Sequence, residues 1–439
     1  MQKIIILAKS IYFYIKKINV NWFKQLKISQ EDIDYVQQMH LSDAIDISSA
    51  SKVYYQTSLL DSFPQYLELK LGKQKIKFKK KTWNFADETL GLRYGTNPSQ
   101  AGAFYIPEST GSTPLNWNFL KNGKGGPSAT NIEDLSQAIE ILKYFEPNRP
   151  ASVIMKHLIP SGFCVLSEEE TLAKAYEESR NLDYLSSFGG VVVLNNTLDL
   201  ETAKKISESF IEVIAAPDID QEVVDFFNKL PNKSQVRIVE LGDFHNLPKY
   251  KGDNIDSKNI NLKVLVDGSI IIERPFLSQI TSIKDLYFNA YVYESGVKHQ
   301  AQLKPDEGVL QDLYDSYHVL QGVRSNAAVI MKQGRAVCGS GETKRVDAVV
   351  RATEKVKEYI TGKNIPKGNS IMNDWTGAVA STDGFPPFDD TISELQKIGV
   401  KHVLFPPGGK NSWQIIEKAN SLGMSIAFTP YNARCFTHR

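Results

Sequence analysis

A chain of 439 residues is too long for one simple core and is long enough for two or three domains. Its 51 basic residues almost balance its 50 acidic residues, so the charge does not mark it as a binder of nucleic acid or of a membrane surface. The three cysteines, Cys164, Cys338 and Cys435, are too few and too far apart for a disulfide framework, which favours a cytoplasmic location. No Cys-x-x-Cys pair is present, which argues against a zinc site.

Residues 1–85 contain no recognisable site. The first 30 residues carry six lysines and no acidic residue, and the lysines interrupt the apolar clusters before these reach the length of a membrane span. Leu67-Glu68-Leu69-Lys70-Leu71 alternates like a strand, and Gly72-Lys73-Gln74 predicts a turn into a second strand. We interpret residues 1–85 as an N-terminal extension of unknown role.

Helical and strand patterns alternate from residue 133 onward. Apolar residues recur at helical spacing over 133–144, 200–210, 306–317, 343–361, 392–398 and 413–422. Short apolar runs typical of buried strands cover 151–155, 212–217, 327–331, 400–405 and 425–429. Asp267-Gly268 predicts a hairpin turn between residues 262 and 272. This order predicts an α/β protein with helices packed on open sheets, one sheet in each half.

Lys156 and His157 place an ammonium and an imidazole side by side at the end of an apolar run. Pro160 and Gly162 follow and stop the strand. Because side chains alternate along an extended strand, Lys156 and His157 can serve one site only at a strand end where the backbone turns. Taken alone, such a pair is more often a solvated strand end than a catalytic dyad.

Arg93 and Tyr94 begin a second motif, which ends at Gln100. Gly95 and Asn97-Pro98 indicate a tight turn that would fix the direction of both side chains, and a fixed guanidinium suits a phosphate. A surface turn with an incidental arginine explains this stretch alone equally well.

Arg93-Tyr94-Gly95-x-Asn97-Pro98-x-Gln100 resembles the opening motif of the transformylase domain of the bifunctional purine-biosynthesis enzymes. That domain formylates aminoimidazole carboxamide ribonucleotide (AICAR). Further motifs similar to those of the family follow in the family's order: Gly126-Pro127-Ser128 with Asn131, Lys156-His157 with Pro160-x-Gly162, Ser187-Phe188-Gly189, Arg324-Ser325-Asn326-Ala327, Gly339-x-Gly341-x-x-x-Arg345, 383–390, Pro406-Pro407-Gly408-Gly409 and Arg434-x-Phe436-x-His438. So many motifs in register are far more specific than any one of them.

The resemblance implies formyl transfer from 10-formyltetrahydrofolate, a cosubstrate, to the 5-amino group of AICAR, with no tightly bound cofactor and no metal. It implies two tandem cytidine-deaminase-like subdomains with mixed sheets, which we place at 86–260 and 296–439 with a hairpin and connector at 261–295. It also implies a homodimer with its ligand sites near the subunit interface. No cyclohydrolase motif precedes Arg93, so we expect a transformylase without a cyclohydrolase domain.

The resemblance also implies the roles of individual residues. His157 would take the amine proton, Lys156 would stabilise the oxyanion or protonate the leaving nitrogen, and Asn326 would donate to the developing charge. The catalytic set is therefore Lys156, His157 and Asn326. The residues expected to bind the nucleotide are Arg93, Tyr94, Asn131, Glu212, Arg345, Arg434 and His438. The residues expected on the folate side are Phe188, Phe385, Pro387 and Asp390. Phe188 and Phe385 could equally be core residues. Asp389 and Asp390 could equally cap the helix that follows them.

The chain departs from the family at Ser99, Ile159, Ser161 and Pro386, where His, Asn, Cys and Phe are usual or common. Two alternatives to folate-dependent transfer are formylation with formate and ATP, and a non-catalytic partner or sensor that binds purine ribonucleotides. The presence of Lys156, His157 and Asn326 argues against the non-catalytic alternative.

Overall fold

The computed structural model describes residues 63–85, 88–97, 100–108, 115–123, 125–231, 235–255, 259–369, 371–431 and 433–438. These residues form two units, 63–108 with Gly125–Thr130 and 115–123 with 131–438. The expectations for residues 1–62 and for Pro98-Ser99 lie outside the described residues. In the described part of the chain, no helix has the length and apolar character that crossing a membrane requires.

Short antiparallel strands form the first unit. They are β1 (Tyr66–Leu71), β2 (Gln74–Lys80), β3 (Trp83–Phe85), β4 (Glu88–Leu90) and β5 (Tyr105–Pro107). β1 and β2 make the predicted hairpin, in which Leu69 lies opposite Ile76, and β5 pairs with the other edge of β2. Gly72 turns this hairpin with a φ of +60°, a left-handed conformation that glycine adopts without steric cost.

The second unit contains most of the strands. These are β6 (Asn118–Asn122), β7 (Ala151–Lys156), β8 (Ile159–Val165), β9 (Val191–Leu194), β10 (Val213–Ala216), β11 (Arg237–Glu240), β12 (Asn261–Val264), β13 (Ile270–Glu273), β14 (Tyr291–Glu294), β15 (Val297–Gln300), β16 (Ala328–Lys332), β17 (Arg335–Gly339), β18 (Val379–Thr382), β19 (His402–Phe405) and β20 (Ser425–Phe428). The hairpin predicted around Asp267-Gly268 is confirmed as β12 and β13.

The helices are α1 (Ala129–Leu142), α2 (Leu172–Asn181), α3 (Tyr184–Ser187), α4 (Leu200–Ser207), α5 (Gln221–Lys229), α6 (Leu310–Leu320), α7 (Arg345–Thr361), α8 (Asp390–Gln396) and α9 (Ser412–Ser421). The six predicted helices correspond to α1, α4, α6, α7, α8 and α9, with their ends shifted by a few residues. The sequence patterns did not predict α2, α3 or α5.

One mixed sheet of eleven strands runs through the second unit in the order β20-β19-β18-β16-β17-β8-β7-β9-β10-β11-β6. The hairpin of β7 and β8 is followed by β9, which is antiparallel to β7, and then by β10 and β11, which are parallel to β9. The hairpin of β16 and β17, followed by β18, β19 and β20, repeats that arrangement. The α/β prediction of mixed sheet flanked by helices is therefore confirmed.

The expectation of one sheet in each half is wrong, because the two halves share a single sheet. β8 pairs with β17 in antiparallel fashion, with Phe163 opposite Ala336 and Cys164 opposite Arg335. Each hairpin alone would leave an edge strand with unpaired backbone groups, and their mutual pairing removes both edges. Apolar patterns within each half carry no information about which edges meet.

Two glycines hold matching places in the two halves. A Cβ at Gly162 on β8 would lie 2.0 Å from the carbonyl oxygen of Ser179 on α2. A Cβ at Gly339 on β17 would lie 1.8 Å from the carbonyl oxygen of Ala348 on α7. In each half, the absence of a side chain therefore lets the next long helix pack directly on the strand backbone.

We predict that Gly162→Ala destabilises the protein, because the obstructing atom belongs to the backbone and cannot rotate away. Overpacking of this kind lowers the free energy of unfolding by about 1–3 kcal/mol or more, which denaturant titration measures. Gly308→Ala is the matched control, since no atom lies within 4 Å of a Cβ at that position. Equal stability of the two variants would contradict the close packing described here.

Candidate active site

Lys156 and His157 lie where the hairpin of β7 and β8 turns. Lys156 is the last residue of β7 and pairs with Ile159, so His157 and Leu158 form a two-residue turn. Both turn residues have positive φ, +56° for His157 and +64° for Leu158. This is the backbone conformation of a type I′ turn, whose twist matches that of the flanking strands. The prediction that the pair lies at a strand end where the backbone turns is confirmed.

A buried carboxylate on α1 holds this turn. Asp134 is only 6% exposed, and its Oδ1 accepts a hydrogen bond from the N–H of Leu158 at 2.6 Å. Burial raises the pKa of Asp134, and the N–H groups of Leu158 and His157 oppose that rise. Asp134 was not among the predicted site residues. The sequence did contain a signal for a role of Asp134 at the site. Asp134 lies three residues after the predicted ligand Asn131 and therefore on the same face of α1.

The side chain of Lys156 connects the turn to a second predicted residue. Its Nζ donates to the carbonyl oxygen of Phe188 at 2.6 Å. The ring of Phe188 is 62% exposed and lies against Phe210, with 5.0 Å between ring centroids. Phe188 is therefore a surface residue beside Lys156, and the core alternative for it is wrong.

A cavity of about 570 Å³ opens beside the turn, within the size range of ligand pockets. Its lining includes Lys156 and His157 from the first half and Glu342 and Lys355 from the second. Nζ of Lys355 on α7 forms an ion pair with Asp183 at 3.2 Å, and both side chains are largely buried. The cavity is therefore a cleft between the two halves of the sheet.

Asn326 is not among the residues that line this cleft, but it is hydrogen-bonded to Glu342, which is. Its Nδ2 donates to the backbone carbonyls of Glu342 at 2.9 Å and Thr343 at 3.1 Å. Its Oδ1 accepts from Arg345 at 2.8 Å. Both amide hydrogens of Asn326 thus have backbone partners at the edge of the cleft.

Arg345, the first residue of α7, makes contacts inside the protein. Its Nε and one terminal nitrogen donate to Oδ1 of Asp383 at 3.2 and 3.1 Å, and the other terminal nitrogen donates to the carbonyl of Phe385 at 2.9 Å. Asp383 is fully buried and also accepts from the hydroxyl of Ser325. The guanidinium thus joins three loops, and its contact with a phosphate stays a prediction.

The predicted folate-side residues after Asp383 have different environments. Phe385 is half-buried, packs edge-on against Phe405 at 5.4 Å, and would overlap a Cβ at Gly409. Pro387 and Asp390 are exposed at the start of α8. Asp390 accepts from the N–H of the next residue, whereas the side chain of Asp389 makes no cap bond.

The C-terminal segment folds back onto the same loops. The N–H of Cys435 donates to the carbonyl of Asp383 at 3.4 Å, and the carbonyl of Thr437 accepts from the N–H of Ser325 at 2.9 Å. Alternate side chains along this segment face outward, and these are Arg434, Phe436 and His438. Two predicted nucleotide ligands are thus exposed on a segment that the backbone holds in place.

The remaining predicted residues fall into two pairs. Asn131 donates to Oε2 of Glu212 at 3.3 Å, which brings two expected nucleotide ligands together in the second unit. Arg93 and Tyr94 belong to the first unit, and the backbone of each bonds to the segment of the Gly126-Pro127-Ser128 motif. Among the described residues, no group of three or more His, Cys, Asp or Glu side chains is arranged to hold a metal ion.

Comparison with known proteins identifies similar chains. A family model described as the AICARFT/IMPCHase bienzyme matches residues 29–355. The bifunctional purine biosynthesis protein PurH of Magnetococcus marinus is 31% identical over 350 residues, covering 79% of this chain and 59% of the relative. PurH of Persephonella marina is 30% identical, with the same shares of both chains covered. PurH of Rippkaea orientalis is 32% identical, and the match covers 79% of this chain and 58% of the relative. The chain spans just under three fifths of the length of these relatives.

We predict that Asp134→Ala weakens the turn, since the partly buried N–H of Leu158 loses its acceptor. The free energy of unfolding should fall by about 1–3 kcal/mol, measured by denaturant titration. Asp134→Asn keeps an acceptor oxygen and is the matched control, with most of the stability retained. Unchanged stability of Asp134→Ala would show that the turn does not depend on this carboxylate.

Proposed function

This chain belongs to the AICARFT/IMPCHase bienzyme family, and from that premise we propose that it transfers a formyl group from 10-formyltetrahydrofolate to the 5-amino group of AICAR. The proposal rests on one observation. Lys156 and His157 lie together at a hairpin turn that Asp134 stabilises, and both line a cleft of ligand size. The PurH relatives are named as purine biosynthesis proteins, which agrees with this reaction.

His157 acts as the base in this proposal. The 5-amino group of AICAR is a poor nucleophile, because its lone pair is delocalised into a ring that bears a carboxamide. An imidazole titrates near neutral pH and can accept the amine proton as the carbon–nitrogen bond forms. The exposed side chain of His157 projects from the turn rather than from the strand, which supports a role at the cleft.

Lys156 and Asn326 stabilise the oxyanion of the tetrahedral intermediate. An ammonium has three hydrogens, and Lys156 uses one on the carbonyl of Phe188. The others suit the oxyanion or the departing folate nitrogen. Asn326 would have to exchange the carbonyl of Glu342 or Thr343 for the substrate oxygen.

The nucleotide is bound in this proposal by two exposed side chains and a polar pair. Arg434 and His438 are exposed on the anchored C-terminal segment, and a guanidinium binds a phosphate through two parallel hydrogen bonds. We assign Arg93, like Arg434, to the phosphate and Asn131 and Tyr94 to the imidazole end, with Glu212 as the hydrogen-bond partner of Asn131. Arg345 contributes by holding the loop that carries Asn326.

The folate side is defined by aromatic and apolar groups. A flat pterin needs an apolar wall and a polar anchor. The exposed ring of Phe188, whose carbonyl binds Lys156, supports a wall next to the reacting group. We assign Phe385 and Pro387 to the same wall and Asp390 to the anchor. The folate is a cosubstrate, so no cofactor stays bound.

We also propose the finer organisation that the resemblance implies. Residues 86–260 and 296–439 would be two cytidine-deaminase-like subdomains without zinc, joined by the connector at 261–295. The repeated strand order of the two halves supports this division. The protein would act as a homodimer in the cytoplasm, where the three buried cysteines remain free thiols.

We predict that His157→Ala lowers the rate of tetrahydrofolate release about 10²–10⁴-fold when AICAR is supplied, which is the range for loss of a general base. Lys156→Ala should lower kcat as well, because it removes a charge that acts on the oxyanion. Absorbance at the folate band measures turnover, and Lys229→Ala, an exposed lysine at the end of α5, is the control. Full activity of His157→Ala would rule out its role as the base.

The same assay separates the alternatives. Turnover with formate and ATP but none with formylfolate would select the ATP-dependent reaction. AICAR binding without turnover under either condition would select the non-catalytic sensor.

We predict that Arg434→Ala raises the KM for AICAR about 10- to 100-fold, since hydrogen bonds to charged groups contribute about 1.5–3 kcal/mol. The dephosphorylated riboside tests the assignment directly. If Arg434 binds the phosphate, the variant should lose most of the preference for AICAR over its riboside that the wild type shows. An unchanged preference would place the phosphate elsewhere.

A further inference from the structure

A short loop contacts both Lys156 and α7 at the cleft. It consists of residues 183–189, which we call the α3 loop, and it contains the single turn of α3. Asp183 is its first residue and lines the cleft, as Lys156 does. Near the other end of the loop, the carbonyl of Phe188 accepts the hydrogen bond from Nζ of Lys156. The position of the Lys156 ammonium therefore depends on where the α3 loop is held.

Asp183 fixes the internal shape of the α3 loop. Its Oδ1 accepts from the N–H of Ser186 at 3.2 Å, which caps α3. Its backbone carbonyl accepts from the N–H of Ser187 at 3.0 Å and from the hydroxyl of Ser187 at 2.9 Å. The side chain of Ser187 is buried, and Phe188 is the next residue. A displacement of Asp183 would therefore carry the carbonyl of Phe188 with it.

Lys355 on α7 holds this loop from the second half of the sheet. Its Nζ lies 3.2 Å from Oδ2 of Asp183, and the two side chains are only 17% and 14% exposed. Water and salt screen a partly buried pair less than a pair on the surface. The anchor itself is fixed, because α7 packs directly on the backbone of β17 at Gly339. The ion pair thus connects the core of the second half to the loop that binds Lys156.

The second half contains a lysine equivalent to Lys156. Lys332 ends β16 as Lys156 ends β7, and the two strands hold matching places in the sheet. Nζ of Lys332 donates to the carbonyl of Thr376 at 2.8 Å. The glycine after Thr376 has a φ of +82°, and the glycine after Phe188 has a φ of +71°. A bond from this lysine to the carbonyl before a left-handed glycine is therefore common to both halves.

The two lysines differ in their number of partners. Nζ of Lys332 also donates to the carbonyl of Asp374 at 2.8 Å and to its carboxylate at 3.4 Å, so each of its three hydrogens has an acceptor. Among the described residues, Nζ of Lys156 has the carbonyl of Phe188 as its hydrogen-bond acceptor. Lys156 thus keeps hydrogens for a ligand, and its direction depends on that one carbonyl.

We propose that Lys355 and Asp183 are positioning residues for formyl transfer. Their ion pair holds the α3 loop against α7, the loop places the carbonyl of Phe188, and that carbonyl directs the ammonium of Lys156 toward the oxyanion. The oxyanion forms as the transition state is approached, so a misplaced ammonium lowers kcat while AICAR binding is retained. This inference rests on the proposed function, because it assigns both residues to the same reaction.

The first experiment removes the cation with Lys355→Met, which keeps most of the apolar stem. The kcat for tetrahydrofolate release should fall about 10- to 100-fold, since small displacements of a catalytic group have effects of this size. The KM for AICAR should stay near that of the wild type. Lys357→Met changes an exposed lysine on the same helix and is the matched control. A wild-type kcat in Lys355→Met would overturn the proposal, as would an effect confined to KM.

Asp183→Asn tests the other partner of the pair. Asparagine also caps helices, so the N–H of Ser186 keeps an acceptor while the charge is lost. This variant should lower kcat as Lys355→Met does. The double variant should be no slower than the slower single variant, because both changes break one contact. Losses that multiply in the double variant would assign separate roles to the two residues and overturn the proposal.

Hydrogen exchange measures the position of the α3 loop without turnover. Amides of residues 184–190 should exchange faster in Lys355→Met and Asp183→Asn than in the wild type, and Lys357→Met should leave them unchanged. Unchanged exchange in both pair variants would show that the ion pair does not hold the loop and would overturn the proposal. A wild type without formylfolate turnover would instead refute the proposed function, whatever the exchange shows.

Discussion

The antiparallel pairing of β8 with β17 is the constraint on which the second unit depends. It joins two halves of similar strand order into one sheet and brings the turn after β7 and the end of β17 to the same cleft. A buried ion pair reinforces the joint, since Arg335 on β17 donates two hydrogen bonds of 2.9 Å to Glu178 on α2. The cleft between the halves therefore has walls that are fixed relative to each other, which a site for two ligands requires.

His157, the proposed base, has a backbone conformation that most residues avoid. His157 and Leu158 both have positive φ, which costs an L-residue roughly 1–2 kcal/mol. Such local strain persists where surrounding contacts fix it, and it is concentrated at functional sites. Here Asp134 on α1 accepts a hydrogen bond from the turn, so the direction of the imidazole depends on the position of that helix.

The sequence predicted the elements well where periodicity was strong. The pattern over 343–361 corresponds to α7 (Arg345–Thr361), and the Asp267-Gly268 hairpin is confirmed. The ordered motifs led to a family that residues 29–355 match. Sequence patterns did not reveal that the two halves share one sheet, or that Asp134 stabilises the turn after β7. Both features depend on partners distant in the chain. The internal use of Arg345 was missed for the same reason, since nothing near Arg345 in the sequence marks Asp383 as its partner.

The account rests on His157 lying next to the amine that it deprotonates. A crystal structure of the protein with AICAR and an unreactive folate analogue tests this most directly. The account predicts a ring nitrogen of His157 at about 3 Å from the 5-amino nitrogen, with the ammonium of Lys156 facing the formyl oxygen of the analogue. AICAR bound with its amino group out of reach of His157 would contradict it.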